Sequence, residues 1–179
     1  MGNASNKLKG ITKIRNEIMK IIDKDYEIKR LIYYKTRTPL ESTGIDLDKG
    51  FIQQPDISEM DFINGEKRIF PIFSNETLSI ANVFIFVRRF ECNLEDEVMG
   101  DNKLVIDIAV PTMNSILDNN QDRESQIATK ICDLIDGEVI QSLGKIKVVY
   151  AKDSIIDNDK KFNLLSLFLK IPTLNTKIK

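Results

Sequence analysis

The chain has 179 residues, with 26 Lys and Arg against 27 Asp and Glu for a net charge of −1, 42% hydrophobic and 30% charged side chains, two Cys, and neither His nor Trp. That balance argues against nucleic acid as the main partner, because phosphate binding depends on an excess of Lys and Arg, although it leaves room for a local basic patch. Without His, without paired Cys and without a glycine-rich phosphate loop, most routes to catalysis at neutral pH are closed, and composition points to a protein that works by shape and contact.

A chain of this length buries roughly 70% of its unfolded surface, enough for a core that needs no disulfide. Cys92 and Cys132 read as buried or half-buried thiols of a reducing compartment. No run approaches the ~20 apolar residues of a spanning helix, and the N-terminus lacks the apolar centre of a secretory signal. Synthesis in a cytoplasm, with no membrane partner, is therefore expected. Met1-Gly2-Asn3-Ala4-Ser5-Asn6 is a poor match to a myristoylation start, since Asn and then Lys occupy the sixth and seventh positions.

Ile11, Ile14, Ile18, Ile21 and Ile22 recur at helical spacing, separated by Lys13, Arg15, Glu17 and Lys20, and predict a helix that packs by one face. Asp25 is placed to cap a second helix carrying Ile28, Leu31 and Ile32, followed by Tyr33 and Tyr34, with Pro39 marking its end. Tyr33 and Tyr34 read as finishing that helix against a sheet. Residues 41–66 hold Gly44, Gly50, Pro55 and Gly65 among many acidic side chains, and read as an irregular contact arm.

From residue 68 the period changes. Arg68 to Phe73 reads as an edge strand because of Pro71, and Val83 to Glu91 as a central strand apolar on both faces. Leu104, Ile106, Ile108 and Val110 alternate with Val105, Asp107 and Ala109, the pattern of one buried face. Between these strands, Glu95-Asp96-Glu97 forms an acidic hairpin tip. Asp118, Asn119 or Asn120 is placed to cap a further helix, with Asp122 and Glu124 in its first turn. Its apolar face is Ile127, Ile131, Leu134 and Ile135, flanked by Ala128 and Cys132, and Gly137 stops it. Strands at Lys145 to Ala151 and Phe162 to Ile171 make a second hairpin, and Asn175 to Lys179 reads as a frayed tail.

The expected fold is a single domain over residues 1–179, of α+β class. It consists of a helical segment at 11–38, the arm at 41–66, and a mostly antiparallel sheet of four to five strands within 68–174, covered on one face by two amphipathic helices. The other face would carry Phe84, Phe86, Leu165, Leu167 or Leu169, depending on register, and a neighbouring copy is the expected cover.

Several short motifs carry a resemblance. Leu31-Ile32-Tyr33-Tyr34 is followed by Thr38-Pro39-Leu40, Gln54-Pro55-Asp56-Ile57, Ile69-Phe70-Pro71, Ile106-Asp107-Ile108, and Cys132-Asp133-Leu134-Ile135-Asp136-Gly137 before a final hairpin. Over roughly residues 11–174 this order resembles the tail-terminator and neck proteins of tailed bacteriophages, departing from them in a longer arm at 41–53. The resemblance implies a virion protein that forms a six-subunit ring on the completed tail tube and presents a surface to the DNA-filled head. Its partners would be copies of itself, the tail tube protein and a head-closure or neck protein, with the sheath as a further candidate and DNA only as passing cargo. It would carry no catalytic residue, cofactor or metal. A head-closure ring, another connector ring and an assembly accessory are the rivals of the same kind.

Each candidate contact has two readings. Glu95, Asp96 and Glu97 line the lumen of such a ring or form a solvated turn; Phe84, Phe86 and Phe90 are an interface or core; Arg88 and Arg89 bridge to a neighbour's carboxylate or end a strand in solvent. Gln54 and Asp56 are candidate partner contacts. An enzyme alternative places a divalent metal on Asp56, Glu59 and Asp61 with Glu66-Lys67, in the manner of a carboxylate nuclease. Its spacing is wrong, because adjacent residues of a strand point to opposite faces.

Overall fold

Isoleucine spacing produces α1 (Asn3–Lys24), with Ile11, Ile14, Ile18, Met19 and Ile22 buried along one stripe. The helix begins well before that stripe, because each residue added to a formed helix gains a backbone hydrogen bond whether or not it packs. Asp25 caps α2 (Tyr26–Tyr33), its carboxylate accepting the Ile28 N–H at 2.8 Å. The computed structural model describes residues 3–41, 43–46, 50–53, 57–92, 99–139, 145–157 and 161–174.

The segment read as an irregular arm is more ordered than its composition suggested. β1 (Thr43–Asp46) and β2 (Gly50–Gln53) form an antiparallel hairpin of their own. Residues 57–66 belong to the core instead of projecting: Ile57 and Phe62 are buried, and the Phe62 N–H reaches the Asp23 carboxylate at 2.9 Å. Lys29 donates to the carbonyls of Ser58, at 3.1 Å, and Met60. Gly65 closes this turn where a Cβ would meet the Asp61 carbonyl oxygen at 2.9 Å, so only glycine fits without a shift. Tyr33 stacks on Phe62 with ring centroids 6.0 Å apart, so it finishes its helix against this turn.

Five strands make the main sheet: β3 (Ile69–Phe70), β4 (Phe84–Cys92), β5 (Met99–Pro111), β6 (Lys147–Ile156) and β7 (Phe162–Leu174), in the order β3-β4-β5-β7-β6. All neighbours are antiparallel except β3, which pairs parallel to β4 at the sheet's edge. The fold is therefore the expected α+β arrangement. α1 and α3 (Arg123–Ile135) pack on the sheet, and α2 packs against both helices.

The cap of α3 is Asp122, which accepts the Ser125 N–H at 3.0 Å. Asp118, Asn119 and Asn120 sit one loop earlier, where Leu117 donates to the Gln121 carbonyl at 3.0 Å and Asn120 takes a positive φ of 58°. Gly137, at φ 88°, ends the helix as expected.

Register decides the faces. Ile85 and Val87 of β4, Leu104, Ile106, Ile108 and Val110 of β5, and Leu165, Leu167, Leu169 and Ile171 of β7 join the helices in one aliphatic core. Phe84, Phe86, Val105, Asp107, Ala109, Ser166 and Phe168 belong to the other face. Among the described residues no helix is long and apolar enough to cross a membrane.

Candidate assembly surface

The helix-free face is finished at one end by the chain itself. Phe84 and Phe86 are buried in a second cluster with Leu78, Ala109 and Phe162, against which Phe70, Phe73, Ile156 and Leu164 pack. Phe73 lies 4.8 Å from Phe86, centroid to centroid. The expectation that a neighbouring copy covers Phe84 and Phe86 therefore gives way to cover by the 70–80 segment. Leu165, Leu167 and Leu169 face the helices and need no partner.

The middle of this face is polar but closed. Asp107, read in the sequence as facing solvent, is 1% exposed. It accepts from Arg88 Nε at 2.5 Å and from Ser166 Oγ at 2.6 Å. A buried carboxylate is tolerable only when it is paired and hydrogen-bonded, so Arg88 neither bridges to a neighbour nor ends a strand in solvent but pairs within the chain. The sequence signal was a single Asp inside an otherwise apolar alternation, with Arg88 on the paired strand.

The other end is unfinished. Phe168 stacks on Tyr150 at 4.2 Å and meets Phe90 edge-on at 5.5 Å. Phe90 is 52% and Tyr150 54% exposed. Of the three phenylalanines considered together, Phe90 is thus the one that faces outward.

Of the grooves among the described residues, two bear on β4 and β6. One, of about 450 Å³, lies beside β4 and is lined by Arg15, Arg88, Arg89, Pro71 and Ile72. Burial, and then the neighbouring Arg89 charge, holds the Arg15 guanidinium below its ordinary pKa. Arg89 is exposed and has no carboxylate partner among the described residues. The second groove, of about 650 Å³, lies between the α3 N-terminus and the β6–β7 ladder, lined by Asp122, Glu124, Asp153, Ser154, Ile155 and Asn163. Glu124 accepts there from Ser115 Oγ at 2.8 Å and from Asn163 Nδ2 at 2.9 Å.

Next to Glu124, Arg123 is 1% exposed and works structurally. Its guanidinium donates to the carbonyls of Asn114 at 2.9 Å, Leu31 and Tyr34 at 2.7 Å, and Thr36 at 2.5 Å, joining the end of α2 to the start of α3. Burial pushes its pKa down to about 10, which leaves it charged at neutral pH. This residue's role has no signal in the sequence, because its acceptors are backbone atoms that sequence does not distinguish. Cys132 is half-buried, and burial, reinforced by Asp136 and Asp133, raises its thiol pKa, which disfavours the thiolate.

Of the proposed metal carboxylates, Glu59, Asp61 and Glu66 lie among the described residues and form no metal site there. Asp61 accepts the N–H groups of Ile63 and Asn64 in its own turn, both at 2.8 Å, and Glu66 lies 3.8 Å from Arg68. Among the described residues no group of three or more acidic or thiol side chains is placed to hold a metal ion. Gln54, Asp56, Glu95, Asp96 and Glu97 lie outside the described residues.

The profile of the YomW family matches residues 25–171. No curated protein matches at a significant level. Among solved structures, a chain from the virion of a native gene transfer agent particle is similar at 11% identity and a TM-score of 0.41, over 60% of this chain and 79% of that one.

Proposed function

This chain belongs to the YomW family, and we propose that it is a structural protein of a tailed-phage virion, acting as the tail terminator whose ring caps the completed tail tube and joins it to the neck. The observation that carries this reading is the family match itself, which spans most of the chain and bears a phage-derived name. The motifs from Leu31 to Gly137 support the same reading. The surface agrees in kind: charged grooves lie at both ends of a sheet, exposed aromatics lie on one face, and Arg88, Asp107 and Arg123 are committed to holding the fold. In this role the protein acts by contact, with copies of itself and with tube and neck proteins as partners.

Deletion of the gene from its phage or prophage, followed by electron microscopy of the particles, tests this reading. Full heads lying apart from tails of irregular or excessive length are the expected result. Tails of normal length beside leaking heads would move the protein to head closure, and normal infectious particles would refute both roles.

A further inference from the structure

The main sheet has two open ends. β3 pairs with β4 only at Ile69↔Ile85 and Phe70↔Phe86, so from Val87 onward no described strand lies on the outer side of β4. At the opposite end β6 is ten residues long; the Asp136 carboxylate accepts the Val148 N–H at its start, and among the described strands the rest of β6 pairs only with β7. Its exposed side chains include Val149 at 44% and Ile155 at 72%. An exposed edge of that length is a template for another strand.

Strand directions restrict what can be added. β4, β5, β7 and β6 alternate in direction, so β4 and β6 run opposite ways. A second copy set alongside without being turned over brings its β4 antiparallel to this copy's β6 and keeps the helices on one side. A two-fold pairing of β6 with β6 would also be antiparallel. It would, however, set Asp122 and Asp153 against their own copies and leave Arg15 and Arg89 without a counterpart. Setting the Arg89 end of one copy against β6 of the next brings Arg89 to Asp153, the one carboxylate of β6 beside Lys147 and Lys152.

We propose that copies of this chain join head to tail through their sheet edges, β4 beyond Val87 in one copy pairing antiparallel with β6 of the next, with Arg89 facing the neighbour's Asp153. The interface is heterologous and closes into a ring when the rotation per copy divides a full turn. This rests on the ring reading above and adds which surfaces make the ring. The lowered pKa of Arg15 beside Arg89 fits a pair of cations that the incoming carboxylate would relieve.

Charge reversal in the phage tests it. Arg89→Glu, Asp153→Arg and the double variant are each supplied to the deletion phage, and copies per purified particle are counted by quantitative mass spectrometry. Both positions are exposed, so each purified variant should melt within about 2 °C of wild type. Each single reversal places like charges face to face and should lower incorporation by about tenfold, while the double should restore it to within about twofold of wild type. Single variants incorporated like wild type, or a double no better than the singles, would overturn the edge-to-edge interface and leave the ring reading standing. Wild-type protein missing from particles would refute the ring reading itself.

Discussion

The two faces of one sheet are built differently. The helix-covered face is aliphatic across its centre, where residues of β5 and β7 lie under α3 and those of β4 under α1 at almost full burial. The opposite face changes character along the strands, from an aromatic cluster under the chain's own 70–80 segment, through a buried Arg88–Asp107–Ser166 group, to exposed Phe90 and Tyr150. A face covered by regular elements can be uniformly apolar. One covered by a short loop has to close itself with local chemistry, and where the loop ends the surface remains available to another molecule.

Substitutions along that second face should separate its three parts. Phe86→Ala should cost about 3–5 kcal/mol in urea unfolding, comparable to the loss expected for Ile106→Ala on the helix side; a loss under about 1 kcal/mol would mean that the 70–80 segment does not cover it. Arg88→Ala should cost about 3 kcal/mol, because it strands a buried carboxylate, and replacing Asp107 by Leu together with Arg88 by Met should recover much of that loss. Tyr150→Ala removes only a stacked, half-exposed ring, so a loss of about 0.5–1 kcal/mol is expected in the isolated chain. A much larger loss there would place Tyr150 in the core.

The smallest effect is expected from acid, outside this face. Backbone and side-chain hydrogen bonds from Asn64, and then from Ile63, hold the Asp61 carboxyl below its ordinary pKa. A depressed folded-state value means that this contribution is complete above the unfolded value, near about 3.9, and is lost as pH falls through the folded one. Thermal melts should therefore show no Asp61-dependent change from pH 7 to pH 5, and Asp61→Asn should flatten part of the decline below about pH 4.

Much of the fold was legible because periodicity reports burial directly. The Ile11 to Ile22 stripe, the Asp25 cap, the Leu104 to Val110 alternation and the Gly137 stop each depend on neighbours within a few residues. The parallel pairing of β3, the Asp122 cap and the core role of Phe62 were not legible, since each depends on a contact with residues distant in sequence. The candidate surface was less legible still. Phe84, Phe86 and Phe90 are one residue type at alternate and bulged positions of one strand, yet two are core and one is exposed.

Local chemistry therefore determined what this chain is made of: amphipathic helices, alternating strands, caps and stops, all set by side-chain spacing and backbone hydrogen bonding. Tertiary structure alone decided which charges were already neutralised within the chain and which were left for a partner. Arg88 and Arg89 are adjacent in sequence and border one groove, but the alternation of a strand gives Arg88 the buried Asp107 and leaves Arg89 on the opposite face with no carboxylate among the described residues. A one-residue change of register would exchange them, and a strand that opens apolar at both alternations does not fix its register by pattern alone.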